Sequence, residues 1–284
     1  MNKKYKLLKN DCVMIGAHTL YRIQALRNFN NIKKGDIGGF IEKEKNLSHK
    51  GNCWVYDNAK VFEDAEVSGN AKVYGNAIIE ERAVLVDDVE VSGNARVSGY
   101  AFIFNRAIIC SNSLIDGKAT VGDDAFILDN AHIYDDAKVR GNALISGNTQ
   151  IYENAYIEYN CVITDNTTIH GYAHLDGNAC IHGNSHINGY AHLSTAAYIK
   201  NNEYVTVGPI GSRGDYTTFY LNHFGDIMVT CGCFTGNIDK FSKIVRIRHS
   251  SNPFYRKQYK EAMRFANKVL KPYIKERKRN NVNK

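Results

Sequence analysis

The sequence predicts a mainly β protein: a long parallel β-helix with a cap before it and a small α+β domain after it. Two observations predict it. Stepping by six from Val55 to Val205 meets only Val, Ile or Leu, and four residues beyond each, from Ala59 to Ala197, stands Ala in most repeats and Ser, Thr, Cys or Val in the rest. Between these positions lie pairs such as Gly69-Asn70, Gly75-Asn76, Asp129-Asn130, Gly177-Asn178 and Gly183-Asn184, residue types that tolerate positive φ and so turn the chain. A branched residue packs on a flat wall and a small one fits where the chain bends into the next wall. Each six-residue unit then makes one wall, and three make a triangular coil of 18 residues. A repeat without a slip outranks local propensity in deciding the fold. Residues 54–205 hold about eight such coils, a prism roughly 40 Å long at the interstrand spacing of about 4.8 Å.

Residues 1–53 read as the cap, because the open end of a solenoid is a row of unpaired strand groups that must be covered. The tail domain is 206–284. The run Gly208-Pro209-Ile210-Gly211-Ser212-Arg213-Gly214 punctuates the change. The β-branched and aromatic segments 215–221 and 226–231 follow, with Asn222, His223, Phe224 and Gly225 between them, and read as a hairpin. Two helices come next. Asn237 caps the first, which puts Phe241, Ile244 and Val245 on one face, and the second follows Pro253. In the second, Tyr255, Tyr259, Ala262, Met263, Ala266, Val269, Leu270 and Tyr273 keep an apolar face. The opposite face is basic, with Arg256, Lys257, Lys260, Arg264, Lys268 and Lys271, and Pro272 is expected to end or kink the helix.

Composition bounds the rest. With 284 residues, 44% hydrophobic and 23% charged, the chain is neither disordered nor collagen-like. No apolar run reaches the ~18–20 residues of a membrane span, and the opening Met1-Asn2-Lys3-Lys4-Tyr5 leads into no secretory signal, so a cytoplasmic location without membrane contact is expected. The 7 cysteines are scattered without CxxC spacing, which fits reduced thiols and no zinc site. The net charge of +7 divides into +7 for residues 1–50, −13 for 51–239 and +13 for 240–284. Nucleic acid is therefore expected to meet this protein only through the basic tail.

The repeat resembles that of left-handed parallel β-helices, the hexapeptide-repeat proteins, and the handedness is implied by that resemblance. The opening segment Thr19-Leu20-Tyr21-Arg22-Ile23-Gln24-Ala25-Leu26-Arg27, with Gly35-Asp36-Ile37-Gly38-Gly39-Phe40-Ile41 and Asn46-Leu47-Ser48, is similar to the leader of an uncharacterised bacterial and phage group of these proteins. Some of that group carry an acetyltransferase label on the repeat alone. Ser212-Arg213, Gly232-Cys233-Phe234 and His249 resemble the tails of its phage-encoded members. Among hexapeptide-repeat enzymes the resemblance points to trimeric acyltransferases, which use a His on the prism and a loop projecting from it. An unbroken register from 55 to 205 leaves no room for that loop.

Two classes of function remain, a binding or scaffold protein and an acyltransferase using acyl-CoA, and the missing loop favours the first. His170, His174, His182, His186 and His192 cluster in sequence, but only His174 and His192 are 18 apart and stack on one wall. They are the weak catalytic candidates of the prism, and Cys233 with His249 is that of the tail. An exposed polar ladder is the competing reading of the histidines, and a tight turn that of the cysteine. No metal site and no cofactor are expected. Ligand-binding candidates are Ser212, Arg213, Gly232, Cys233, Gly236 and Asn237, because a Gly-rich turn from strand to helix offers amides to an anion beside a cation. The residue before each branched position should point outward. On one wall the series Trp54, Lys72, Glu90 gives way to Ile108, Phe126, Leu144, Val162, Cys180 and Tyr198. Such a stripe marks an interface, with self-association as dimer or trimer expected and cover by the second helix as the alternative. An anionic small molecule or a host protein is the other expected partner.

Overall fold

In the computed structural model, which describes residues 3–282, the chain is mainly β: a parallel solenoid of about nine turns, with a small antiparallel sheet and two helices at its C-terminal end. It divides into two compact units, Met1–Glu153 and Asn154–Lys284.

In the first unit, β1 (Tyr5–Ile15) and β2 (His18–Ala25) pair antiparallel, and β3 (Ile37–Ile41) continues on β2. β3 then changes partner. It runs parallel to Lys60–Val61, and Leu47 bridges in parallel to Val67, so the cap itself supplies part of a coil, which raises the count from eight to about nine. Gly39 permits this approach: a Cβ there would sit 2.6 Å from the Ala59 carbonyl and 2.7 Å from Val55. The cap also reverses one expectation. Trp54, outward by its place in the period, is only 1% exposed, because the Tyr5 and Phe29 rings of the cap cover it edge-on at 6.3 and 5.5 Å.

The coils are built from two-residue strands such as Lys72–Val73 and Glu90–Val91, each paired in parallel with the strand one coil away. Every branched position from Val55 to Ile199 is buried, and the Ala positions that join them are buried too. Each filled branched position contributes ~1.5–3 kcal/mol of hydrophobic stabilisation. The corners turn through positive φ, at Gly69 (+68°) and equally at Asp129 (+60°). The asparagines that follow form a ladder: Asn76 donates to Asn94 at 3.2 Å, Asn94 to Asn112 at 3.1 Å and Asn112 to Asn130 at 3.2 Å. Ladders of this kind satisfy amides on an exposed edge and fix the register between coils.

The second unit carries the same coil pattern from Tyr156–Ile157 to Tyr198–Lys200. The chain then leaves the period. Val205, the last member of the inward series by sequence, lies instead in the strand Tyr204–Ile210, opposite Phe219. That strand, Asp215–Leu221, Ile227–Cys231 and Phe234–Asn237 form a four-stranded antiparallel sheet in that order. The expected hairpin is its centre, and the two outer strands are additions. Helix α1 (Ile238–Arg248) starts on Asn237, whose Oδ1 accepts from the Lys240 amide at 2.9 Å. Helix α2 (Pro253–Val282) runs through Pro272 without ending there. Pro272 is exposed, so the carbonyl that loses its donor one turn earlier is open to water.

Phe219, Leu221, Val229, Phe241, Val245, Tyr259, Ala262, Ala266 and Leu270 make the tail core. The apolar face of α2 is thus used within its own unit. Arg277 anchors the end of α2, donating to the Tyr198 and Asn222 carbonyls and pairing with Glu203. Among the described residues no helix is long and apolar enough to cross a membrane.

Candidate functional site

The parallel stack places His174 over His192 with ring centroids 4.5 Å apart and planes 14° from parallel. Each ring meets a carboxylate: His174 Nε2 lies 3.0 Å from Glu158, and His192 Nε2 lies 2.8 Å from Asp176. Burial pushes the Asp176 carboxyl upward, but hydrogen bonds from His192 and Ser194 and the histidine charges outweigh it and hold it below its ordinary value. Such dyads can orient a base. They also recur along the chain at the same interval of 16 residues, in His132 with Asp116 and in Arg96 with Glu80. Since arginine fills the same place and can take no proton, the interval is a device that ties coil to coil. His174, Asp176 and His192 offer ligand atoms within 4.8 Å of one another, enough to hold a metal ion, though both Nε2 atoms already face carboxylates.

The other histidines lie apart from this pair, though two of them meet each other. His170 and His186 meet Nε2 to Nε2 at 2.9 Å. His182 packs edge-on against Tyr198 at 4.7 Å, its Nε2 is buried without a hydrogen-bond partner among the described residues, and burial lowers its pKa.

In the tail the structure brings Arg213, Gly232 and Cys233 together and separates them from Gly236 and Asn237. Phe234–Asn237 is a strand, with Cys231 opposite Phe234, Val229 opposite Gly236 and Met228 opposite Asn237. Alternate residues of this strand therefore give their backbone groups to the ladder, and the Asn237 side chain is committed to capping α1. Gly232 and Cys233 form a two-residue hairpin turn in which Gly232 has φ +57°, the first-position conformation that favours glycine. Arg213 closes over this turn, its guanidinium 2.8 Å from where a Gly232 Cβ would stand. A hydrogen bond from Arg213, then its charge, holds the exposed Cys233 thiol below its ordinary pKa, and Arg248 adds a further hydrogen bond. Ser212 is exposed in the neighbouring turn. His249 stacks on Tyr259 at 5.5 Å, and no hydrogen bond joins it to Cys233 among the described residues. Tyr259 in turn is pushed up to about 12 by burial and by Cys231.

The interface candidates separate by unit. In the first, Ile108, Phe126 and Leu144 align on adjacent strands, with Ile108 38% and Phe126 37% exposed. In the second, Val162, Cys180 and Tyr198 align, but Tyr198 also lies under the Arg277 guanidinium and against His223. The basic face of α2 meets α1 at a cavity of about 340 Å³ carrying Arg246, Arg256 and Lys260.

Sequence reasoning missed a groove of about 710 Å³ in the second unit, lined by His186, Asn188 and Tyr190 from the coils, by Asn202, and by Tyr204, Thr206 and Tyr216 from the tail sheet. Tyr172, Tyr190 and Tyr216 stack in a column with spacings of 5.1 and 4.3 Å. Tyr172 and Tyr190 are 18 apart, a signal visible in the sequence, but the third ring arrives from another sheet. Among the described residues no Asp, Glu, Lys or Arg lines the groove.

Period, coil and corner chemistry define a parallel β-solenoid built on a six-residue repeat. No family model matches the chain. A 51-residue stretch is 45% identical to the uncharacterized acetyltransferase YdcK of Escherichia coli strain K12, covering 18% of this chain and 16% of that protein. The chain thus spans about a sixth of the length of the relative it matches.

Proposed function

We propose that this chain is a binding protein: the solenoid self-associates and holds out, at its C-terminal end, a groove that captures a ligand without chemistry. The observation that carries the reading is the groove of about 710 Å³, within the ~300–1,000 Å³ range of ligand sites, walled by aromatic and uncharged polar side chains. The histidine dyads support it from the other side, since their fixed interval serves the stack in the same way as Arg96 with Glu80. In a phage setting the ligand would be a host component. Native mass spectrometry of protein purified from its host tests the reading, which expects an oligomer with a retained ligand.

The second reading, acyl transfer from acyl-CoA, draws on the His192–Asp176 contact and on the 51-residue similarity to YdcK. Transfer of an acetyl group to a small amine or alcohol, abolished by His174→Ala or His192→Ala, would establish it and overturn the binding reading.

A further inference from the structure

We propose that the free edge of the strand Tyr204–Ile210 receives a short extended peptide of another protein by strand addition, with the tyrosine column of the groove as the wall for its side chains. This rests on the binding reading and gives its ligand a class.

The strand is outermost in its sheet and pairs on one side only, with Asp215–Leu221. Its parity follows from one hydrogen bond. The Leu221 amide donates to the Glu203 carbonyl at 3.3 Å, and the register places Tyr204 opposite Tyr220 and Thr206 opposite Thr218. In an antiparallel ladder, pairs that exchange hydrogen bonds alternate with pairs that do not. Glu203, Val205 and Val207 therefore spend their backbone groups on the neighbouring strand, while Tyr204 and Thr206 aim theirs away from it. The Tyr204 amide is taken by the Asn202 carbonyl at 2.8 Å. What remains is the Tyr204 carbonyl and both backbone groups of Thr206, without a partner among the described residues.

These residues line the groove. Unpaired strand groups normally invite association, and proteins blunt them with charge, proline or cover. Here the described lining holds His186 but no Asp, Glu, Lys or Arg. Proline and a shift in register come only at the far end, at Pro209 and between Val207 and Ile210, which confines the usable edge to about four residues. The coil residues Asn188 to Tyr190 line the same groove, with Asn188 on the Tyr204 hydroxyl and Tyr190 on the Tyr216 ring. Backbone hydrogen bonds would supply affinity, and alternate side chains of the peptide would meet aromatic surface. Tyr190, 49% exposed between its two stacked neighbours, is the centre of that surface. A lining of aromatic and amide groups with one histidine and no carboxylate, lysine or arginine selects uncharged side chains at the inward positions of the peptide.

The test uses the full chain. Random seven-residue peptides displayed on phage are selected against it, and the winners are resynthesised with a single N-methyl group at each position in turn. Strand addition expects methylation at alternate positions to weaken binding roughly tenfold or more while the intervening positions tolerate it. It also expects the Thr206 amide to exchange freely with solvent in the free protein and to be protected in the complex. Tyr190→Ala should weaken the same peptides, and the N-methyl series keeps the result independent of any loss of folding in that variant. Binding that ignores methylation parity, a Thr206 amide already protected in the free chain, or a selection with no groove-dependent peptide would each overturn the proposal. Cellohexaose and chitohexaose form a separate arm. If they protect Thr206 where peptides do not, the groove remains a binding site and the peptide assignment falls.

Discussion

Arg277, near the end of the last helix, pairs with Glu203 at the start of the tail, and both side chains are nearly buried, at 11% and 7% exposure. The guanidinium also donates to the Tyr198 and Asn222 carbonyls and lies 5.2 Å from the Tyr198 ring centroid. One residue thus joins α2 to a coil strand and to the tail hairpin. Removing it leaves a buried carboxylate without its partner, so Arg277→Ala is expected to cost about 3–5 kcal/mol. Urea unfolding measures the loss, and hydrogen exchange should show the final turns of α2 opening first.

The solenoid interior should answer to volume alone. Ile103 is fully buried, and Ile103→Ala is expected to cost ~2–5 kcal/mol, read as a lower urea midpoint. Ile103→Val should cost ~0.5–1.5 kcal/mol.

Cys233 is expected to be the fastest thiol to alkylate in the native protein, since it is exposed and held toward the thiolate by Arg213 and Arg248. Cys53 and Cys161 are buried, and burial raises both, Cys161 to about 12. Mass spectrometry after timed iodoacetamide treatment follows each site. Arg213→Ala should move the rate profile of Cys233 to higher pH, and an unchanged profile would remove Arg213 from the account.

The His192–Asp176 contact carries a pH dependence with a definite sign. Asp176 is depressed in the folded chain below its ordinary 3.8. Its contribution is therefore complete above the unfolded value and is lost as pH falls through the folded one. Asp176→Asn should lower stability at pH 6 by about 1 kcal/mol and make little difference in strong acid, as thermal melts at the two pH values would show.

Self-association through the exposed wall of the first unit predicts that Phe126→Glu with Leu144→Glu converts an oligomer into a folded monomer by sedimentation. A wild type that is already monomeric would sink that proposal.

The six-residue period determined the solenoid, its buried branched and small residues and its positive-φ corners, because each is set by residues a few positions apart and then repeated. Helix α1 was legible for the same reason, through the Asn237 cap. Tertiary structure decided the rest. Trp54 is buried because the cap rings close over it, although its position in the period faces outward. Phe234–Asn237 is a strand because Ile227–Cys231 lies beside it; locally it carries two hydrophilic residues and a glycine and resembles a turn. Arg213 meets Cys233 only because two hairpin turns adjoin. The groove needs Tyr216 from the tail sheet to complete a column begun by Tyr172 and Tyr190 in the coils. Local pattern fixes which way a side chain points along its own repeat, but a site assembled from two sheets depends on how those sheets pack, and no period in the sequence records that.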